Sequence, residues 1–347
     1  MAWNAAAKLV AQTAAWGSTL VVARFLSPDD YGLVGMATFS LGFVDMVTEF
    51  GVGTTIALRK EVTDTEVEQL NSVSVMLGVV GMVVICATAH LLGRFFHDGR
   101  LPVVLMLLST TFLLKSFRSV PWGLLQRDLR FKNLAIYDAL QGLALAVLSV
   151  VLAAKGLGYW TLVAASITSA LITSFVAVTR HPAKFRRPQF AKLRPLLKFS
   201  SHVVGQRMAW YGYSNADFLV AGKMLGSGPL GNYELAWTLS RVTDKATTLL
   251  FQVTPPIFGR VADDLAELRR YVTRIIEVLS LTVLPLMIGM ALVAHDFVPV
   301  VLGNQWKAMI FPLQILSAYA AVGVVVPLLA QVLNVTGHSA YAMRHNF

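Results

Sequence analysis

Long apolar stretches separated by short polar turns make up most of the chain. Residues 73–93 contain no Pro and only one side chain that can carry a charge, His90. A helix needs about 20 apolar residues to cross the hydrocarbon core of a bilayer. Backbone groups in lipid must bond within their own segment, which a helix achieves and an isolated strand does not. The pattern therefore predicts membrane-spanning α-helices.

About ten such spans are predicted along the chain. They lie near residues 4–26, 32–58, 70–93, 101–125, 133–154, 158–179, 199–222, 230–256, 272–294 and 308–335. The first does not resemble a cleavable signal peptide, because it has no compact apolar region and no small-residue cleavage site before Arg24. We expect an all-α polytopic membrane protein.

The composition agrees with a lipid environment. Hydrophobic residues make up 56% of the chain and charged residues only 14%, whereas soluble domains contain about 25% charged residues. The single cysteine, Cys86, lies within a predicted span, so we expect neither an internal disulfide nor a thiolate metal cluster.

The net charge of +10 is distributed unevenly among the turns. The even-numbered turns contain most of the Lys and Arg residues, with a dense group between Arg180 and Lys198. The positive-inside rule then places both termini in the cytoplasm. The basic excess therefore predicts topology rather than a nucleic-acid partner, with attraction to anionic lipid as a secondary effect.

The most hydrophilic stretch divides the chain into two parts. We predict an N-terminal bundle at 1–179, a basic cytoplasmic linker at 180–198 and a C-terminal bundle at 199–347. A weak repeat supports this division, since residues 22–34 and 221–233 align with Gly32 opposite Gly231. The linker is expected to set topology, with a lipid-headgroup or partner site as the alternative.

Two repeated bundles are a common transporter architecture. With six helices per repeat, the two halves would be parallel and related by an axis along the membrane normal. The C-terminal part contains only four of the predicted spans, so we expect an incomplete second bundle and a truncated or naturally short chain.

Sequence signatures of enzymes are missing. The chain lacks a P-loop and the H-E-x-x-H, C-x-x-C and G-x-S-x-G motifs. A membrane-embedded glycan polymerase or transferase would need a sizeable external loop or a nucleotide-sugar motif, and neither is visible. We therefore expect a protein that is not an enzyme and has no metal or cofactor.

Charged side chains inside predicted spans are the remaining candidates, because a charge at bilayer depth is costly unless it faces a cavity or a partner. The deep cations are Lys115, Arg118, Arg207, Arg241 and Lys245. The deep anions, which could bind a coupling ion or balance these cations, are Asp45, Glu49, Asp217 and Asp244. Glu234 lies near a span end and is expected to reach water.

Helical spacing gathers these charges on shared faces. Glu234, Arg241, Asp244 and Lys245 fall within an arc of about 100° of one helix. Internal ion pairs are one interpretation, for example Arg241 with Asp244, or Asp45 or Glu49 with Lys115 or Arg118. The surplus of cations favours a second, a mildly cationic water-filled cavity between the bundles. Arg can donate a forked pair of hydrogen bonds to phosphate there.

Six stretches in order along the chain resemble a known family. They are "ARFLSPDDYGLVGMA" (23–37), "EFGVGTTIAL" (49–58), "FRSVPWGLLQRDLRFKNLA" (117–135), "DFLVAGKMLGSGPLGNYELA" (217–236), "VTPPIFGRVADD" (253–264) and "VLGNQWKAMIFPLQILSAYA" (301–320). Their series is similar to polysaccharide flippases, the Wzx-type branch of the multidrug/oligosaccharidyl-lipid/polysaccharide exporter superfamily.

That resemblance implies a V-shaped pair of helix bundles that opens alternately to each side of a bacterial inner membrane. It implies transport of polyprenyl-pyrophosphate-linked oligosaccharide from the cytoplasmic to the outer leaflet for cell-surface polysaccharide biosynthesis. Glycan polymerase and export machinery are possible partners. A drug/cation antiporter of the same superfamily and a non-transporting flippase fragment are the alternatives. An antiporter site should be acidic and aromatic, which the surplus of deep cations disfavours.

Overall fold

A computed structural model describes residues 2–50, 52–53, 56, 62–189, 204–242, 254, 258, 261 and 264–336. Within these residues the secondary structure is helical and contains no strand. The helices are α1 (Ala2–Phe25), α2 (Pro28–Phe50), α3 (Asp64–Phe96), α4 (Leu101–Arg127), α5 (Phe131–Ala154), α6 (Trp160–Arg180), α7 (Ala216–Leu225), α8 (Ser227–Ser240), α9 (Leu265–Phe297), α10 (Ile310–Gly323) and α11 (Val326–Val335).

Shorter helical pieces complete the described structure. Residues 204–214 form a helix before α7. A π-helical turn at Val298–Leu302 and a 3₁₀ helix at Asn304–Met309 join α9 to α10.

The chain divides into two compact units, unit 1 at 1–231 and unit 2 at 232–347. In unit 1, α4 packs against α2, α3 and α6, and α5 packs against α1 and α6. In unit 2, α9 packs against α10. Buried side chains of Val283, Met287 and Ala321 fill part of the core of unit 2.

Five described helices are long and apolar enough to cross a membrane. They are Asp64–Phe96, Leu101–Arg127, Lys132–Ala154, Trp160–Arg180 and the continuous helical stretch Ala266–Leu302. The expectation of an all-α, multi-pass chain is confirmed for the described residues. The number of about ten spans and the two six-helix bundles stay predictions.

Several helices begin earlier than the apolar pattern indicated, and polar caps extend α2, α3 and α9, the last of which starts at Leu265 behind Asp264. α2 starts at Pro28, after Ser27, whose hydroxyl and amide both donate to the Asp30 carboxylate at 2.7 and 3.0 Å. α3 starts at Asp64, where Thr63 and Glu66 form a reciprocal capping box. Hydrophobic periodicity does not detect such caps, which satisfy the first amide groups of a helix.

Two predicted spans are interrupted. The span at 199–222 breaks at Asn215, whose backbone leaves the helical conformation with φ −125° and ψ 19°. Its backbone and side-chain amides both donate to the Tyr211 carbonyl, at 3.1 and 2.9 Å. The span at 308–335 divides between α10 and α11. Pro327 has no amide hydrogen, so it suits the first turn of a new helix better than the middle of a continuous one.

The two repeated turns of the sequence lie directly against each other in unit 1. A Cβ on Gly32 would overlap the Ser227 carbonyl and lie 2.9 Å from the Gly231 amide nitrogen. A Cβ on Gly231 would overlap the Pro28 carbonyl and lie 2.8 Å from the Gly32 amide nitrogen. The contact is reciprocal, as in an interface around a twofold axis. Glycine at both positions lets the starts of α2 and α8 touch through their backbones.

Candidate functional site

The first predicted charges that the structure brings together are Lys115 on α4 and Asp45 on α2. The Lys115 ammonium donates to Asp45 Oδ2 at 2.6 Å. Their side chains are 20% and 29% exposed, so the pair lies below the surface without being sealed. The ion pair between Asp45 and Lys115, one of those considered from the sequence, is therefore present.

Arg118 lies one turn further along α4 and is buried. Its side chain is 8% exposed, and its Nη1 donates to Gln141 Oε1 on α5 at 2.6 Å. The guanidinium also lies over the Trp122 ring, 5.3 Å from the centroid. The amide acceptor and the aromatic face both contact the guanidinium and fix the orientation of its plane.

Small residues let α4 approach its neighbours closely and so position these cations. A Cβ on Gly78 of α3 would lie 2.7 Å from the Ser116 side chain. A Cβ on Gly123 of α4 would lie 2.6 Å from the Gly53 carbonyl oxygen. Ser74 Oγ donates to the Ser116 carbonyl at 3.0 Å. Contacts of this kind are typical of helix packing in membranes, where small residues permit close backbones.

The other described site residues lie on or next to different helical segments. Arg207 is exposed on the helix at 204–214, and Asp217 is half-buried in the first turn of α7. Arg241 is exposed just beyond the end of α8, with its guanidinium 4.6 Å from the centroid of the Trp237 ring. Asp244 and Lys245 lie outside the described residues, as does the Glu49 side chain.

Sequence reasoning missed the roles of Gln141 and Glu234. A neutral Gln within a span does not stand out by its charge. The signal that could have revealed Gln141 is a polar side chain in the span next to one that contains a cation. Glu234 was expected to reach water, but its Oε2 is enclosed and accepts no hydrogen bond from the described residues. Its place in the middle of α8, a helix that begins earlier than predicted, accounts for the difference.

A second polar group joins four turns at one end of unit 1, and we call it the turn cluster. Arg100 Nη2 lies 2.8 Å from Asp29 Oδ2 and 2.7 Å from Asp98 Oδ2. Asp29 also accepts a hydrogen bond from Ser227 Oγ. Asp30 Oδ1 accepts from the Tyr159 amide at 3.0 Å. These bonds connect the turns before α2, α4, α6 and α8.

The turn cluster predicts a pH dependence of stability. The Arg100 guanidinium, through its hydrogen bond to Asp98, holds the pKa of that carboxyl below its usual range. A carboxyl with a lowered folded-state pKa contributes stability above its unfolded pKa of about 3.9, and this is lost as the pH falls through the lowered value. Asp98→Asn should lower the unfolding free energy by about 1 kcal/mol at pH 7.

Unfolding in detergent micelles between pH 7 and pH 3 checks this prediction. The difference between wild-type protein and Asp98→Asn should shrink as the pH falls below 4. Parallel pH profiles would show that the Asp98–Arg100 contact contributes no proton-linked stability.

The charged side chains of α4 can bind and position an anion. No group of three or more His, Cys, Asp or Glu side chains within the described residues is arranged to hold a metal ion. Lys115 and Arg118 instead present two cations from successive turns of one helix. Such a pair can bind a phosphate, with Lys as a point charge and Arg as a forked donor.

The chain matches one protein family over most of its length and is similar to a lipopolysaccharide biosynthesis protein. The family described as "Polysaccharide biosynthesis protein" matches residues 21–311. The lipopolysaccharide biosynthesis protein WzxC of Escherichia coli (strain K12) is 26% identical over 322 residues, covering 90% of this chain and 65% of its own length. The chain thus spans slightly less than two thirds of that relative.

Solved structures share the fold. The lipid II flippase MurJ, in an inward closed conformation, matches with a TM-score of 0.75 at 11% identity, covering 99% of this chain and 78% of MurJ. An inward-facing multidrug resistance MATE family transporter of the MOP superfamily matches with a TM-score of 0.67 at 16% identity, covering 96% of this chain and 83% of that transporter.

Proposed function

Because the chain belongs to the polysaccharide biosynthesis protein family, we propose that it flips polyprenyl-pyrophosphate-linked oligosaccharide from the cytoplasmic to the outer leaflet. The membrane is the bacterial inner membrane, with both termini in the cytoplasm. The product is glycan for cell-surface polysaccharide, passed to a polymerase and export machinery.

One observation carries the proposal, namely the buried Arg118 beside the partly buried Lys115–Asp45 pair on α4. Gln141 accepts a hydrogen bond from Arg118 and the Trp122 ring lies under its guanidinium, so the side chain is oriented within unit 1. A pyrophosphate needs this chemistry at membrane depth, because its charge is costly there without a cationic partner. The polyprenyl tail requires only the lipid that surrounds the helices.

The proposal also includes the other charged residues predicted within spans. On the sequence pattern alone, Arg207, Arg241 and Lys245 would also bind the headgroup, and Asp45, Glu49, Asp217 and Asp244 would balance these cations or bind a coupling ion. Alternating opening of bundles at 1–179 and 199–347, joined by the linker at 180–198, would carry the headgroup across.

Substrate choice in proteoliposomes tests the proposal. Purified chain should expose a fluorescent polyprenyl-pyrophosphate oligosaccharide to a membrane-impermeant quencher faster than protein-free vesicles do. It should leave the uptake of a cationic dye unchanged under proton and sodium gradients. Dye uptake without glycan translocation would identify a drug antiporter instead. The absence of both activities would identify a non-transporting fragment.

A further inference from the structure

Residues 181–189, which we call the basic strap, leave the end of α6 as an irregular segment attached to α3. The Asn71 amide donates to the carbonyls of Ala183 and Lys184, both at 3.3 Å. The Arg186 amide donates to Ser72 Oγ at 3.1 Å. Asn71 is only 2% exposed, so α3 holds the backbone of the strap from a buried position.

Apolar contacts reinforce this attachment. Ala183 packs against a buried cluster that includes Leu70, Val73 and Val120. The Phe185 ring meets the Phe117 ring edge-on, with 6.3 Å between centroids, yet Phe185 remains 59% exposed. An aromatic side chain is therefore fixed at one edge and open on the other.

The cations of the strap face outward. Lys184 and Arg187 are exposed, and neither makes an ion pair within the described part of the chain. Arg186 contacts Glu68 at 3.7 Å and keeps 56% exposure. Since the backbone is already fixed, a ligand for these groups would not have to order the segment itself.

The turn between α4 and α5 adds to the same surface. Arg127, Arg130 and His181 line a common cavity of about 260 Å³ together with the acidic residues Asp64 and Asp128, which places the start of the strap beside that turn. Arg130 and Lys132 are exposed there. The surface thus joins two segments that are far apart in sequence.

Its position identifies the partner. α6 is apolar enough to cross the membrane and ends at Arg180, so the strap begins at the depth of the lipid headgroups. An exposed aromatic ring between exposed cations suits that boundary, where the ring meets acyl chains and the cations meet phosphates. A soluble acidic protein would use the charges but would leave Phe185 unexplained.

We propose that the basic strap, with Arg130 and Lys132, is a docking surface for anionic phospholipid headgroups of the adjacent leaflet, which is cytoplasmic by the predicted topology. The surface would anchor unit 1 to that leaflet. This inference is independent of the proposed function, because it requires no transported substrate.

Native mass spectrometry of the full chain tests the proposal by measuring bound phosphatidylglycerol and phosphatidylcholine. The variant Lys184→Gln/Arg187→Gln should bind phosphatidylglycerol about tenfold more weakly, since each cation near anionic lipid contributes to attraction. The matched control Arg94→Gln/Lys155→Gln removes the same charge from exposed positions elsewhere and should bind as wild type does. Phosphatidylcholine binding should not change in either variant.

Two further measurements make the result specific. Raising the salt concentration should weaken phosphatidylglycerol binding by the wild-type protein more than by the strap variant, because salt screens exposed charges. Phe185→Ser should also bind less of this lipid. Equal phosphatidylglycerol binding by the wild type and the strap variant would overturn the proposal. If the strap variant then lost affinity for an acidic soluble protein, the surface would bind protein instead of lipid.

Discussion

Gly32→Ala is expected to lower the free energy of unfolding by about 3 kcal/mol, at the upper end of the usual range for overpacking. The added Cβ would overlap the Ser227 carbonyl, which is backbone and cannot rotate away as a side chain could. The starts of α2 and α8 would have to separate. That movement would also strain the bond from Ser227 to Asp29 and, through Asp29, the contact with Arg100.

Denaturant unfolding in mixed micelles measures this effect, with protein yield as a second indicator. Gly231→Ala should give a loss of similar size, because the contact is reciprocal. Gly228→Ala is the matched control in the same turn, since nothing lies within 4 Å of a Cβ placed there. Equal stability of Gly32→Ala and Gly228→Ala would contradict the close backbone contact.

Arg118→Gln is expected to slow glycan translocation by a factor of ten or more, corresponding to the loss of a hydrogen bond to a charged group, about 1.5–3 kcal/mol. Gln keeps hydrogen-bonding capacity toward Gln141 while removing the charge. Arg118→Lys should fall between wild type and Arg118→Gln, because it restores charge without the planar fork. The thermal unfolding midpoint of each variant separates a loss of transport from a loss of folding.

The apolar pattern predicted most helices because an apolar segment in lipid must form a helix to satisfy its backbone groups. It placed the ends of α5 within a few residues of the structure. It missed the starts of α2, α3 and α9, where Ser27, Thr63 and Asp264 cap polar first turns. It also missed the break at Asn215, which depends on the backbone conformation of a single residue.

The sequence predicted those site residues that are charged and that helical spacing places on one face of a span. Lys115, Arg118 and Asp45 stood out because charges within apolar spans are rare, and the structure pairs Lys115 with Asp45. Gln141, Asp29 and Ser227 could not be found in this way. Gln141 carries no charge, and the turn cluster forms only when four turns distant in sequence meet. The repeat pointed to Gly32 and Gly231, but not to their contact with each other.

The central claim is that cationic side chains within the membrane move a pyrophosphate-linked glycan, and one measurement tests it most directly. Translocation of fluorescent polyprenyl-pyrophosphate oligosaccharide is timed in proteoliposomes containing equal amounts of wild-type, Lys115→Ala, Arg118→Gln or Arg241→Ala protein. The account predicts rapid translocation by the wild type and a clear loss in the variants, largest for Arg118→Gln. Wild-type rates in all three folded variants would contradict it.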